Sequence, residues 1–146
     1  MIYTPLTVKA INTAYRAHAG QTDKSGLPYI FHPYHVAEQM TDELSVCAAV
    51  LHDVVEDTDL TIEMLAMEFP EEVVEAVRLL THEPDIPYLK YVENLKENPI
   101  ARKVKLADLE HNTDESRTAG ICTESEADRQ RRREKYAKAK EILLNK

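Results

Sequence analysis

Apolar residues recur every three or four positions along most of this chain, and strict alternation of apolar and polar positions is nowhere sustained. That pattern predicts helices and no convincing strand. Thr4-Pro5 reads as an N-cap followed by proline at the first helical position, where the missing N–H costs nothing. Val8, Ile11, Tyr15 and His18 follow at helical spacing and are expected to form one buried stripe. GQTDKSGLPY, residues 20–29, contains two glycines and a proline and reads as a loop. A second helix is expected from His32-Pro33, carrying Val36, Ala37 and Met40, and a third from about 43 to 57. Thr61, with Glu63 in the first turn, caps a short fourth helix reaching about Phe69. Pro70 opens another, with Val73, Val77 and Leu80 as its stripe, and HEPDIP (82–87) interrupts the chain again. Two further helices, about 88–97 and 100–111, are separated by Asn98-Pro99. Thr123 and Glu126 form a capping-box pattern before a last helix ending in AKEILLNK. The expected fold is all-α: a compact, non-repeating helical bundle, one domain over residues 1–146.

Composition narrows what such a bundle can do. A chain of 146 residues can bury a substantial core without disulfides. With 30% charged and 43% hydrophobic residues it is a soluble globular chain and not a disordered one. Eighteen basic against twenty-six acidic side chains give a net charge of −8. That excludes a general nucleic-acid binder, which needs a basic surface, but leaves room for an anionic small molecule met by local positive charge. No apolar run approaches the roughly 20 residues that span a bilayer, and the N-terminus lacks a signal-peptide pattern, so no membrane partner is expected. Cys47 and Cys122 are too few and too separated for a disulfide framework or zinc cluster, and the expected setting is a reducing cytoplasm.

AAVLHDVVEDT, residues 48–58, places four ionisable groups in an apolar setting. On a helix, Asp53 and Asp57 would be one turn apart, as would His52 and Glu56. Like charges at that spacing cost an isolated helix roughly 0.2–0.5 kcal/mol per pair, and burial raises the cost. A divalent metal is the simplest compensation, since a cation reverses the sign of the carboxylate problem. His52 and Asp53 can straddle one ion; His32, after PYIF, and Asp108, in VKLADLEHNT, complete a His-His-Asp-Asp set. No His-Glu-x-x-His motif is present, which argues against a zinc protease.

AHAGQ, KSGLPYIFHP, AAVLHDVVEDT and VKLADLEHN, in that order across residues 17–112, resemble the HD superfamily of metal-dependent phosphohydrolases. The closest resemblance is to the hydrolase domain of RelA/SpoT-type enzymes, which remove the 3′-pyrophosphate from guanosine tetraphosphate and pentaphosphate. The resemblance implies that His32, His52, Asp53 and Asp108 hold the metal, with Mn²⁺ the usual ion. Zn²⁺, Fe²⁺, Co²⁺ or Ni²⁺ suit the same donors. It further implies that Glu56 and Asp57 orient and deprotonate the attacking water, and that Lys24, Ser25 and Asn112 face a nucleotide. Arg132 and Tyr136 share a helix face at four-residue spacing, and a similar pair in single-domain relatives approaches the nucleotide.

Two departures bear on substrate. The family usually carries a basic residue before the Lys-Ser pair, where this chain has Asp23, and Leu109-Glu110 replaces the usual basic-apolar pair. The chain has no room for the synthetase domain of bifunctional relatives, so one-directional activity is expected. Among other polar residues, His18 reads as a hydrogen-bonded structural histidine, His35 as a ligand by type only, and His82 and His111 as surface or supporting groups. Lys105 faces either a phosphate or solvent, and RQRRRE (129–134) reads as a solvated helix face. The function expected is phosphohydrolysis of a small nucleotide phosphate or diphosphate. The alternative is a catalytically silent metal- or nucleotide-binding regulatory module, against which the retained Glu56 and Asp57 argue.

Overall fold

A computed structural model describes residues 1–114, 120 and 124–145, and among these nine helices account for the regular structure. Helix α1 (Pro5–Ala17) starts where Thr4 caps it: the Thr4 hydroxyl accepts from the Thr7 N–H at 3.1 Å and Thr7 returns the bond to the Thr4 N–H at 2.7 Å. Its buried face is Thr7, Ala10 and Ala14, not the expected stripe. Val8 and Tyr15 are 45% and 63% exposed, Ile11 is half-buried, and of the four only His18 is buried. The reason is packing distance. α1 lies on α3 (Glu43–Leu51), whose buried run includes Ser45, Cys47, Ala48 and Ala49, and small residues on both helices allow close approach.

α2 (Phe31–Glu38) buries Val36 and Ala37, with Met40 just beyond, as its pattern required. α3 is the central element: every residue from Ser45 to Leu51 is buried, and α1, α2, α6 and α8 all pack on it. The expected continuous helix from 43 to 57 is broken. α3 stops at Leu51, and a single turn, α4 (Val54–Asp57), resumes after His52 and Asp53. The His52 N–H reaches back only three residues, to Ala49, and Asp53 sits at φ −106°, ψ −1°, the bridge region beside the α basin.

α5 (Ile62–Ala66) is capped by Thr61, as expected, but ends before Phe69, which a turn returns to the core. α6 (Glu71–Leu80) buries Val73, Ala76, Val77 and Leu80; α7 (Tyr88–Leu95) follows the predicted break. α8 (Pro99–Thr113) is capped by Asn98, whose side-chain oxygen accepts from the Ala101 N–H. α9 (Glu126–Leu144) is capped by Ser125 in place of Thr123, which lies outside the described residues. It packs on α7 and α8 and buries only Ala139 and Leu143. Its basic run is a paired, largely exposed face, with Arg129 and Arg133 on Glu126. No helix among the described residues is long and apolar enough to cross a membrane.

The loop between α1 and α2 is ordered by Asp23. One carboxylate oxygen accepts from the Ser25 and Leu27 N–H groups at 2.8 and 3.0 Å, and Gly26 takes the positive φ (+86°) that closes the turn.

Candidate active site

The break after α3 creates the site. Successive residues on an unbroken helix point about 100° apart. Departure from helical geometry at Asp53 instead brings its carboxylate back to within 3.1 Å of His52 Nε2. His32, in the first turn of α2, and Asp108, on α8, approach from two other directions. His32 Nε2 is 2.8 Å from Asp108 Oδ1 and 4.0 Å from Asp53 Oδ2; His52 Nε2 is 3.4 Å from Asp108 Oδ1. The two imidazole centroids are 5.4 Å apart. All four residues singled out by sequence therefore meet.

The state of His52 tests whether a cation fits. Its Nδ1 lies 2.5 Å from the Ala49 carbonyl oxygen, so Nδ1 carries the hydrogen and the neutral ring presents a lone pair at Nε2. Nε2 is buried and faces two carboxylates, Asp53 at 3.1 Å and Asp108 at 3.4 Å. A lone pair aimed at anionic oxygens is repulsive unless something positive lies between them. Without a metal a proton takes that part: burial alone would lower the His52 pKa, but Asp53 and Asp108 outweigh it and hold it well above the ordinary imidazole value. His32, His52 and Asp53 each offer a ligand atom within 4.8 Å of the others, a set that fits a divalent ion, and Asp108 Oδ1 lies within 3.4 Å of both imidazoles.

Further groups orient this set, as surroundings of metal sites commonly do. His32 Nδ1 is 2.7 Å from His111 Nδ1, and the His111 ring stacks on His35 at 4.2 Å. Tyr29 donates its hydroxyl to Asp53 Oδ2. Asn112 donates to Asp108 Oδ1 at 3.1 Å, and Lys105 Nζ lies 2.9 Å from Asp108 Oδ2. Burial would raise the Asp108 pKa, yet Lys105 and the two histidines drive it well below the usual carboxylate range. Lys105 is itself largely buried, over the rings of Tyr91 and Tyr88 at 5.3 and 5.5 Å, which overturns the solvent-facing reading.

Glu56 and Asp57 stand on α4, one turn beyond Asp53, and carboxylate oxygens of the three lie within 4.8 Å of one another. Burial first, then neighbouring Asp53, raises the pKa of both; for Glu56 the His82 N–H, donating to Oε1 at 2.5 Å, opposes the rise. His18 behaves as the structural histidine expected: Nδ1 meets Gln21 Oε1 at 2.8 Å, and Gln21 donates to the Asp57 backbone carbonyl.

Of the five residues assigned to substrate, Asn112 alone touches the four-residue cluster directly. Lys24 is exposed, 4.0 Å from Glu124 Oε2; Arg132 pairs with Glu124 Oε1 at 2.8 Å; the Tyr136 ring is 6.3 Å from that of Tyr88. Ser25 presents its backbone N–H to Asp23. Sequence reasoning missed Tyr29, although it precedes His32 by three residues; His111, read as a surface or supporting group, supports His32. The backbone contact from His82 and the tyrosines around Lys105 are tertiary and leave no local signal.

A family model described as an HD domain matches residues 10–144. The guanosine-3′,5′-bis(diphosphate) 3′-pyrophosphohydrolase MESH1 of Danio rerio is 32% identical over 153 residues, covering 96% of this chain and 83% of the relative. Its Homo sapiens counterpart is 36% identical over 118 residues, covering 72% of this chain and 66% of the relative. A probable guanosine-3′,5′-bis(diphosphate) 3′-pyrophosphohydrolase of Synechocystis is 38% identical over 122 residues, and there 73% of this chain spans only 16% of the relative. Among solved structures, one described as a metazoan ortholog of SpoT that hydrolyzes ppGpp superposes with a TM-score of 0.82 at 25% identity, covering 99% of this chain and 89% of that one. On the family match, the identities and the shared fold, this chain belongs to the HD-domain family, in the company of the guanosine-3′,5′-bis(diphosphate) 3′-pyrophosphohydrolases.

Proposed function

We propose that this protein, as a single HD-type domain, is a metal-dependent phosphohydrolase of nucleotide diphosphates, with guanosine 3′,5′-bis(diphosphate) the first substrate to test. The observation that carries the reading is the buried His52 Nε2 facing Asp53 and Asp108 beside His32. In it His32, His52, Asp53 and Asp108 hold the cation, Mn²⁺ by resemblance. A bound dication there stabilises charge on phosphoryl oxygens and acidifies water. Glu56 and Asp57 orient the attacking water and accept its proton. Their pKa values are raised, by partial desolvation first and by neighbouring Asp53, which makes them stronger bases than isolated carboxylates. The water oxygen bonds to the phosphorus on the ribose 3′-oxygen, the 3′-O–P bond breaks, and pyrophosphate leaves as the 3′-oxygen takes a proton. Asn112 steadies Asp108, while Lys24, Ser25, Arg132 and Tyr136 line the approach as nucleotide contacts. The unpaired, buried Cys47 accords with a reducing cytoplasmic setting.

The test is release of pyrophosphate from guanosine 3′,5′-bis(diphosphate) with added Mn²⁺, followed by chromatography. Turnover by the wild type and none by Asp53→Ala, which should also lose bound metal, is the expected result. Full activity in Asp53→Ala overturns the assignment.

A further inference from the structure

Beyond the four-residue cluster, α7, α8 and α9 gather lysines around one tyrosine. The Tyr88 ring lies 5.5 Å from Lys105 Nζ and 4.5 Å from Lys135 Nζ, and Lys135 also stands 5.5 Å over the Tyr136 ring. The Tyr88 hydroxyl is buried, with the Lys105 ammonium as its polar neighbour and no acceptor for its own proton among the described residues. Neighbouring cations are each matched by a carboxylate: Lys105 by Asp108, and Lys24 and Arg132 by Glu124. Lys135 makes no ion pair among the described residues, and its ammonium is held below the ordinary lysine range by burial, then by Lys105 and Lys24.

A chain of net charge −8 therefore keeps a local surplus of positive charge here. Contact with an aromatic face explains why one ammonium rests on Tyr88. It does not explain why Lys135, exposed and sharing the Tyr88 ring with Lys105, has no carboxylate of its own, beside a hydroxyl whose proton has no acceptor among the described residues. An anion supplied from outside satisfies both.

We propose, resting on the phosphohydrolase reading above, that Lys135 and the Tyr88 hydroxyl seat the phosphate-bearing arm of the substrate that is not hydrolysed. Lys135 is then a specificity residue, selecting nucleotides phosphorylated at two positions. It supplies from α9 a positive charge where the α1–α2 loop has Asp23 in place of the family's usual basic residue.

Two measurements on the full chain with Mn²⁺ test this. In calorimetric titration with guanosine 5′-diphosphate, Lys135→Gln should weaken binding about tenfold, the loss of one charged contact, and Lys135→Arg should restore it. Titration with guanosine should show no such dependence, and Asp53→Ala should keep the diphosphate binding, which locates it away from the metal. In turnover, the preference for guanosine 3′,5′-bis(diphosphate) over guanosine 3′-diphosphate, as a ratio of kcat/KM, should fall about tenfold in Lys135→Gln. Wild-type binding with this Lys135 dependence but no hydrolysis leaves the anion seat standing and removes the hydrolase reading. Equal diphosphate affinity in wild type and Lys135→Gln overturns the seat, as does no wild-type binding. A lowered Tm with unchanged affinity assigns Lys135 to packing and overturns it too.

Discussion

Lys105 holds Asp108 through a single oxygen. Its Nζ is 2.9 Å from Oδ2, while Oδ1 faces His32 at 2.8 Å and His52 at 3.4 Å. One buried carboxylate thus has a fixed countercharge on one oxygen and turns the other toward the imidazoles and Asn112. Removing one member of a buried ion pair costs about 3–5 kcal/mol, because the other charge is left uncompensated. Lys105→Met should lower unfolding free energy by about that much in EDTA. Added Mn²⁺ should return part of the loss, since it offers Asp108 a second countercharge. Urea titrations with and without metal measure both; equal midpoints for variant and wild type in EDTA would show that the pair carries no stability.

Asp42 combines two contacts at the start of α3. Its Oδ1 accepts from the Ser45 N–H at 2.9 Å, and its Oδ2 meets Lys103 Nζ at 2.9 Å. Burial alone would raise its pKa, but hydrogen bonds from Lys103 and Ser45 bring it below the ordinary aspartate value. A carboxyl depressed by folding adds stability above its unfolded pKa of about 3.9, and that contribution is lost as pH falls through the folded value. Asp42→Asn keeps an oxygen to cap α3, and the half-exposed ion pair adds little. At pH 7 Asp42→Asn should be within about 1 kcal/mol of wild type, whereas Asp42→Ala should lose about 1 kcal/mol more by losing the cap. The gap between wild type and Asp42→Asn should narrow as pH falls below about 3.9. Urea midpoints that keep the same gap at pH 7 and pH 3 would contradict this coupling.

The sequence made some elements legible because their signals are local. Thr4, Thr61 and Asn98 cap as their residue types require, and Val73, Val77 and Leu80 form the face their spacing draws. What it did not reveal depends on partners distant in the chain. α1 buries Ala10 and Ala14 rather than Val8 and Tyr15 because small residues of α3 admit close approach, and hydropathy alone favours the larger side chains. The α3–α4 break lies inside an apolar helical pattern; only the meeting of His52, Tyr29 and Asp108 around Asp53 gives it a reason. The four candidate ligands were readable as a set, whereas Lys135 and Tyr88, far apart in sequence, carry no shared motif.

Asp23 puts a negative charge where the family usually carries a basic residue. Its carboxylate is engaged by the N–H groups of Ser25 and Leu27, so it shapes the loop as well as charging it. Asparagine preserves such a turn and removes the charge. Unit charges about 7 Å apart interact by roughly 2 kcal/mol at an effective dielectric of 20, and solvent screening reduces this. Asp23→Asn should therefore lower KM for guanosine 3′,5′-bis(diphosphate) by several-fold, an effect that shrinks as salt rises. Asp23→Arg should gain less than its charge implies, because it forfeits both backbone bonds. Steady-state kinetics at two salt concentrations settles the order, and an unchanged KM in Asp23→Asn would leave Asp23 a purely structural residue.

Asp53 and Glu56 are close in sequence and should separate cleanly in experiment. Asp53 faces both imidazoles, while Glu56 is held by the His82 N–H at 2.5 Å. A cation that binds only the folded protein stabilises it by about 2.7 kcal/mol at one hundred times its Kd. Wild type should accordingly show a rise in Tm with Mn²⁺ that chelation reverses. Asp53→Ala should show neither the rise nor metal by elemental analysis. Glu56→Gln keeps an oxygen for the His82 N–H and all four candidate ligands, so its metal content and Tm response should match wild type. It loses the proton acceptor, and turnover should fall at least about 100-fold, the usual contribution of a general base. If Glu56→Gln lost the metal together with activity, Glu56 would belong to the ligand set and the role of water activation would pass to Asp57.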